Sequence, residues 1–169
     1  LLSRGLGDVY KRQVFGNIDV IPEPSIHESD GVSNIMLTGI GGTGVLTISA
    51  IIGMAAHLQN KDSSILDMTG LAQKGGAVWS HIKVYEKGIL PFSHKISPAS
   101  ADLLLACDAV VATKPEIQEV ISDEKTKSVI NTNTIPVADF VTDRNLDFRS
   151  DHVVQVIEKT TQSLSLIHI

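Results

Sequence analysis

Two glycine-rich stretches hold most of the residues whose type and spacing can do chemistry. The first is Gly39-Ile40-Gly41-Gly42-Thr43-Gly44, a G-x-G-x-x-G pattern with an extra glycine at Gly42. Glycines permit the positive backbone angles of a tight turn and let N–H groups approach an anion. Between a strand and a helix, such a turn also gains the helix N-terminus, with about half a positive charge and several unpaired donors. Thr43 adds a hydroxyl donor. Asp67 ends the next strand, where a dinucleotide-binding domain places its ribose-binding carboxylate. These residues alone admit two readings. One is a site for NAD or FAD in a freestanding nucleotide-binding protein, with Asp67 on the ribose. The other is close packing of strand, helix and a neighbouring domain. Against the dinucleotide, Asp67 is followed at once by Met68-Thr69-Gly70 instead of a short loop into a crossover helix. The chain also has no substrate domain to receive a hydride.

The second stretch runs from Asp67 to His81 and includes Thr69, Gly70, Gln73, Lys74, Gly75 and Gly76. Lys74 can pair with a phosphate, and Gly75-Gly76 can form an anion nest of backbone N–H groups. A rigid interdomain loop with an exposed lysine fits the same residues. Thr69 and Ser80 are hydrogen-bond donors that can also serve nearby backbone groups. His81 has no carboxylate beside it in sequence, which favours a structural role over a general base. His57 lies near a helix C-terminus and Cys107 ends an apolar run; neither is assigned chemistry. No His/Cys/Asp/Glu set has metal-ligand spacing, and no serine sits in a nucleophile elbow. We assign no catalytic residue.

The elements that position these residues follow from hydrophobic period. Asn34–Thr38 reads as a buried parallel strand and Val45 to about Gln59 as a helix. That helix is apolar nearly all round and so expected to be well buried. Ser64–Asp67 is a second strand, Met68–Gly76 a loop, and Ala77–Tyr85 a half-exposed strand that alternates apolar and polar residues. Ala101–Cys107 and Lys127–Thr132 are further strands. Pro115–Ile121 is a short helix with proline in its first turn, and Asp151–Thr160 an amphipathic one. Alternating strands and helices imply an α/β, Rossmann-like three-layer domain with a mostly parallel sheet. Its middle is modified where Gly70–Tyr85 breaks the rhythm. Gly39–Gly44, Asp67–Gly76 and Asn131-Thr132-Asn133-Thr134 all leave strands at the carboxyl edge, where open α/β sheets bind ligands. They are expected to form one rim.

The bulk numbers narrow the class. The 169 residues suit one domain. Hydrophobic residues make up 43% and aromatics 4%, so Val, Ile, Leu and Ala must fill the core. The net charge of −5 disfavours nucleic acid. Residues 1–13 and 163–169 resemble translated sequencing-adapter readthrough and are left out of the fold. Setting aside Arg4, Lys11, Arg12 and Asp8 makes the remainder more acidic still. Residues 14–33, with Ile21-Pro22-Glu23-Pro24, read as a linker into a domain at 34–162. No apolar run is long enough to span a bilayer, and we expect a cytoplasmic protein. One cysteine permits no internal disulfide and cannot supply the roughly four thiolates of an iron–sulfur cluster.

The strand–GxGGxG–helix unit, the acidic strand end and the loop "GLAQKGGAVWSH" together resemble the gamma domain of 2-oxoacid:ferredoxin oxidoreductases. "ADLLLACDAVVA" and "VINTNTIPVADF" extend the match, in order, from about Asn34 to Phe140. The wording is similar to the indolepyruvate branch in its fused form. The resemblance implies an enzyme that decarboxylates an aryl 2-oxoacid on thiamine diphosphate with Mg, passes electrons through 4Fe–4S clusters to ferredoxin, and yields an acyl-CoA. It places thiamine and clusters in other domains, against which the gamma domain packs, and gives the gamma domain a part in handling coenzyme A. From the glycine motif, the strand-edge topology and, for Gln73, Lys74, Gly75 and Gly76, the match to the family loop, Gly39, Gly41, Gly42, Thr43, Gly44, Asp67, Thr69, Gly70, Gln73, Lys74, Gly75, Gly76, Asn131 and Thr132 are the candidate cofactor-binding residues. The fragment is expected to be inactive alone.

Overall fold

Residues 31–70, 76–132 and 150–167 are described by the computed structural model, the side chains of residues 150–152 excepted. The segment 1–13, most of the 14–33 linker, Gln73, Lys74, Gly75, Asn133 and Thr134 lie outside the described residues. Six strands form one sheet: β1 (Val32–Ile40), β2 (Lys61–Thr69), β3 (Ala77–Glu86), β4 (Leu103–Ala106), β5 (Lys127–Asn131) and β6 (Ser163–Ile167). Four helices among the described residues accompany them: α1 (Val45–Leu58), α2 (Ala109–Ala112), α3 (Pro115–Gln118) and α4 (Ser150–Thr160).

The strand order is β2-β3-β1-β4-β5-β6. Pairings β1–β4, β4–β5 and β5–β6 are parallel. β3 alone is antiparallel to its neighbours, with Ile40 opposite Ala77 on β1 and Thr69 opposite Val78 on β2. The α/β class and the majority of parallel pairings match the expectation from sequence. The modified middle is the β2–β3 hairpin. β3 fills the slot between β1 and β2, which run in the same direction.

Alternation along each strand divides the core in two. On one face Leu37, Val78 and Ile82 pack with Val45 of α1. On the other, Met36, Leu104, Ala106 and Ile130 meet Ala109 and Ala112 of α2, Ile117 of α3 and Ile157 of α4. Leu, Ile and Val of this kind contribute about 1.5–3 kcal/mol each on full burial. α1 lies close to the sheet because Gly53 has no side chain: a Cβ there would meet Ile65 Cδ1 at 2.9 Å. The helix ends at Asn60, whose φ of 60° is the left-handed stop that Asn tolerates.

Four differences from the sequence reading have physical causes. β1 begins at Val32, two residues inside the expected linker, and β2 and β3 each run past their expected ends because the hairpin pairs through Lys61–Glu86 and Thr69–Val78. Ala109–Ala112 forms a helical turn, started by the Asp108 carboxylate accepting from the Val111 amide. Ser163–Ile167, left out of the fold above, pairs in register with β5; its alternation of serine and aliphatic residues suits a strand. Finally, α1 is not well buried. Only Val45, Ser49 and Ala56 are inside, and Leu46, Ile51, Met54 and Leu58 face outward.

Candidate functional site: the carboxyl edge of the sheet

The ends of β1, β2, β4 and β5 and the start of β3 all lie along one edge, as the pairing registers require. The two glycine stretches meet there directly. The Gly41 amide donates to the Gly76 carbonyl at 2.8 Å. A Cβ on Gly41 would come within 3.4 Å of that same carbonyl.

Each glycine of the turn has its own reason. Gly39 is a close-approach position: a Cβ there would meet Val45 Cγ2 at 2.6 Å, Thr43 Oγ1 at 3.1 Å and Cys107 Cβ at 3.2 Å. Gly42 and Gly44 have φ of 93° and 84°, in the left-handed region, with open space where a side chain would be. Gly44 is the N-cap of α1, and no side chain caps the helix. The first helical amides therefore face the rim with the positive end of the dipole. Thr43 behaves differently from expectation. Its hydroxyl donates to the Ile40 carbonyl at 2.6 Å and its amide to the same carbonyl at 3.0 Å, which pins the turn to the strand.

Asp67 is also engaged internally. Its Oδ1 accepts from the buried Ser80 hydroxyl, directly across the hairpin, and lies 3.3 Å from the buried Ser49 hydroxyl of α1, whose nearer acceptor is the Leu46 carbonyl at 2.9 Å. One carboxylate thus joins β2 to β3 beside α1. Ser49 was not singled out in the sequence; the signal was a serine on the inner face of an otherwise apolar helix, where a buried hydroxyl needs a partner. Thr69 and Gly70 are exposed at the end of the hairpin, and the Gly70 amide donates to the Ala77 carbonyl at 3.0 Å.

Toward β5 the rim is set by the expected Asn131 together with Cys107, to which sequence reasoning gave no site role. The Cys107 amide donates to the Thr38 carbonyl at 2.8 Å, and Asn131 Nδ2 donates to the Cys107 carbonyl at 3.3 Å. Cys107 thus stands between the Gly39 turn and Asn131. Burial, with the Asp108 carboxylate alongside, raises its thiol above the ordinary range. Thr132 turns away from this group: its amide and hydroxyl both donate to the Ile167 carbonyl, at 2.9 and 3.2 Å.

His81 and Lys83 lie on the face of β3 away from α1. His81 Nδ1 accepts from the Ile96 amide at 3.3 Å. Burial, then the Lys95 and Lys83 charges, pushes its pKa down to about 4. Lys83 is lowered by burial. Both belong to the core, away from the rim. Among the described residues there is no group of three or more His, Cys, Asp or Glu able to hold a metal ion. None of their helices is long and apolar enough to cross a membrane. The rim offers backbone donors, a helix N-terminus and close approach, which is chemistry for holding an anion.

Comparison with known proteins agrees on one group. Residues 34–162 match the family described as pyruvate ferredoxin/flavodoxin oxidoreductase. Indolepyruvate oxidoreductase subunit IorB of Methanothermobacter thermautotrophicus is 32% identical over 107 residues, covering 61% of this chain and 49% of that protein. The subunit of the same name from Archaeoglobus fulgidus is 24% identical over 177 residues, covering 77% of this chain and 86% of that protein. The match thus spans about half the length of the first of these relatives. Among solved structures, pyruvate oxidoreductase subunit PORC from Thermotoga maritima superposes with a TM-score of 0.52 at 16% identity, over 82% of this chain and 62% of that one. The 2-oxoglutarate:ferredoxin oxidoreductase from Magnetococcus marinus, solved with 2-oxoglutarate, coenzyme A and succinyl-CoA bound, gives 0.51 at 13% identity, over 65% of this chain and 18% of that one. At these identities the structures speak for the fold.

Proposed function

The chain belongs to the pyruvate ferredoxin/flavodoxin oxidoreductase family, and from that premise we propose that it is the gamma-type domain of an indolepyruvate-type 2-oxoacid:ferredoxin oxidoreductase, working in the cytoplasm. The whole enzyme would convert an aryl 2-oxoacid to its acyl-CoA and carbon dioxide, with ferredoxin as electron acceptor. Thiamine diphosphate with Mg would stabilise the carbanion left by decarboxylation, and 4Fe–4S clusters would carry the electrons, both held by other domains or subunits. With Cys107 as its only cysteine, this chain does not hold those clusters by itself.

Its own part would be to hold the phosphates of coenzyme A at the carboxyl edge. The bond from Gly41 N to Gly76 O carries this reading, because it makes one rim of two glycine loops beside the open N-terminus of α1. That bond spends the Gly41 amide, and the donors that suit phosphate oxygens are the first-turn amides of α1 at the same edge. Gln73, Lys74, Gly75 and Gly76 would extend the same surface, with Lys74 as the counter-charge; Thr69, Gly70 and Asn131 would border it. The coenzyme A carried by the Magnetococcus enzyme supports this choice of ligand. Asp67 fits a dinucleotide ribose less well than a free strand-end carboxylate, because Ser80 already donates to one of its oxygens.

Calorimetric titration of the chain with coenzyme A, NAD and FAD tests the proposal. We expect binding of coenzyme A alone, weakened by Lys74→Ala. Micromolar binding of NAD or FAD would overturn it.

A further inference from the structure

Between β3 and β4 the chain crosses the face of the sheet away from α1. Backbone bonds pin it at both ends: the Ile89 amide donates to the Glu86 carbonyl at 3.1 Å, and the Ala99 amide to the Glu119 carbonyl at 2.9 Å. Between these pins Ile96 is buried, while Leu90, Phe92, Ser93, His94 and Lys95 are exposed. Among the described residues, two hydrogen bonds tie residues 90–98 to the sheet, and each uses a histidine Nδ1. The Ile96 amide donates to His81 of β3, and His94 shares a bond with the Ser64 hydroxyl of β2. We propose that residues 87–100 form a strap over the β2–β3 hairpin, latched by the neutral His81 ring and released when that ring takes up a proton.

The latch follows from which atom accepts. An amide donates only to a ring nitrogen that carries no proton, so the neutral His81 ring holds its proton on Nε2. A second proton would go to Nδ1 and set one N–H against another. The bond to Ile96 is then lost, not merely weakened.

The surroundings act in the same direction. Lys83 stands two residues along β3 and Lys95 precedes Ile96 on the strap; both oppose a charged ring, as does its burial. β1 and β2 place Met36 and Leu66 opposite His81, with Asp62 and Tyr85 further along the same face. Glu119, where the strap meets the end of α3, supplies its backbone carbonyl and is itself exposed. Once the strap lifts, water reaches the ring and Lys95 moves off with the strap. Proton uptake and opening are therefore linked. The strap can open by itself because it buries one isoleucine side chain, worth about 1.5–3 kcal/mol, which is small beside the stability of a whole domain.

Hydrogen exchange of the full chain under native conditions, read at the Ile96 and Leu37 amides and corrected for intrinsic rates, tests this. His81 titrates at about 4 in the closed strap and at the ordinary 6.5 in the open one. The open fraction at Ile96 should then rise about fiftyfold from pH 7 to pH 4.5. Low urea should leave Ile96 exchange unchanged while speeding that of Leu37, in the middle of β1, because local opening exposes little surface. His81→Gln keeps an acceptor that does not titrate and should abolish the rise. Lys95→Met, at an exposed position, should shrink it, because the closed ring then titrates at higher pH. A flat pH profile at Ile96, an Ile96 amide that follows Leu37 in urea, a rise that survives in His81→Gln, or a Lys95→Met chain with the parent's response would overturn the proposal.

Discussion

The Asp67 carboxylate accepts from the buried Ser80 hydroxyl before any ligand arrives. Asp67→Ala should therefore cost stability, about 1–3 kcal/mol, by leaving the buried Ser80 hydroxyl unsatisfied. Asp67→Asn keeps an acceptor oxygen and should recover most of it; urea melts of the two variants make the comparison. His81 makes the second test at this scale. Its folded pKa, about 4, lies below the ordinary 6.5. The unfolded chain thus takes up a proton that the folded chain refuses. The neutral imidazole's contribution is complete above pH 6.5 and is lost as pH falls toward 4, on the order of 3 kcal/mol in all. Denaturant midpoints measured from pH 7 to 4 should fall less steeply in His81→Gln than in the parent. The sequence showed a histidine with no carboxylate beside it, which was enough to withhold a catalytic role. It did not show Ile96, which supplies the amide that fixes the ring, because that pairing crosses 15 residues of loop and strand.

At the scale of elements, the glycine turn was legible and the outer helix face was not. G-x-G-x-x-G between an apolar strand and a helix names its own geometry, but the individual glycines differ. Gly39→Ala should destabilise by about 1–3 kcal/mol, because its Cβ would overlap Val45 and nothing flexible lies in the way. Gly42→Ala meets no atom and pays only for its φ of 93°, about 1 kcal/mol. Thermal melts of both variants should rank them in that order. α1 was read as buried because apolar residues occur all round it. That pattern says each face avoids water; it cannot say whether the same chain covers both. Ser163–Ile167 was set aside on its wording, yet strand pairing depends on period and register, and the segment has both.

Across the whole molecule, the α/β class, the order of the elements from β1 to β5 apart from the helical turn Ala109–Ala112, and the departure of the loops from one edge followed from periodicity and topology rules. The antiparallel sense of β3 did not, since an alternating strand reads alike in either direction. That sense has a consequence in time. Among the described residues, β1 bonds only to β3 and β4, and β2 only to β3. When the ribosome has finished β1, α1 and β2, none of their strand pairings exists, and the slot between them stands open. Every ladder in that half of the sheet waits for residues 77–86, so the growing chain must keep its first two strands from other partners until the third arrives.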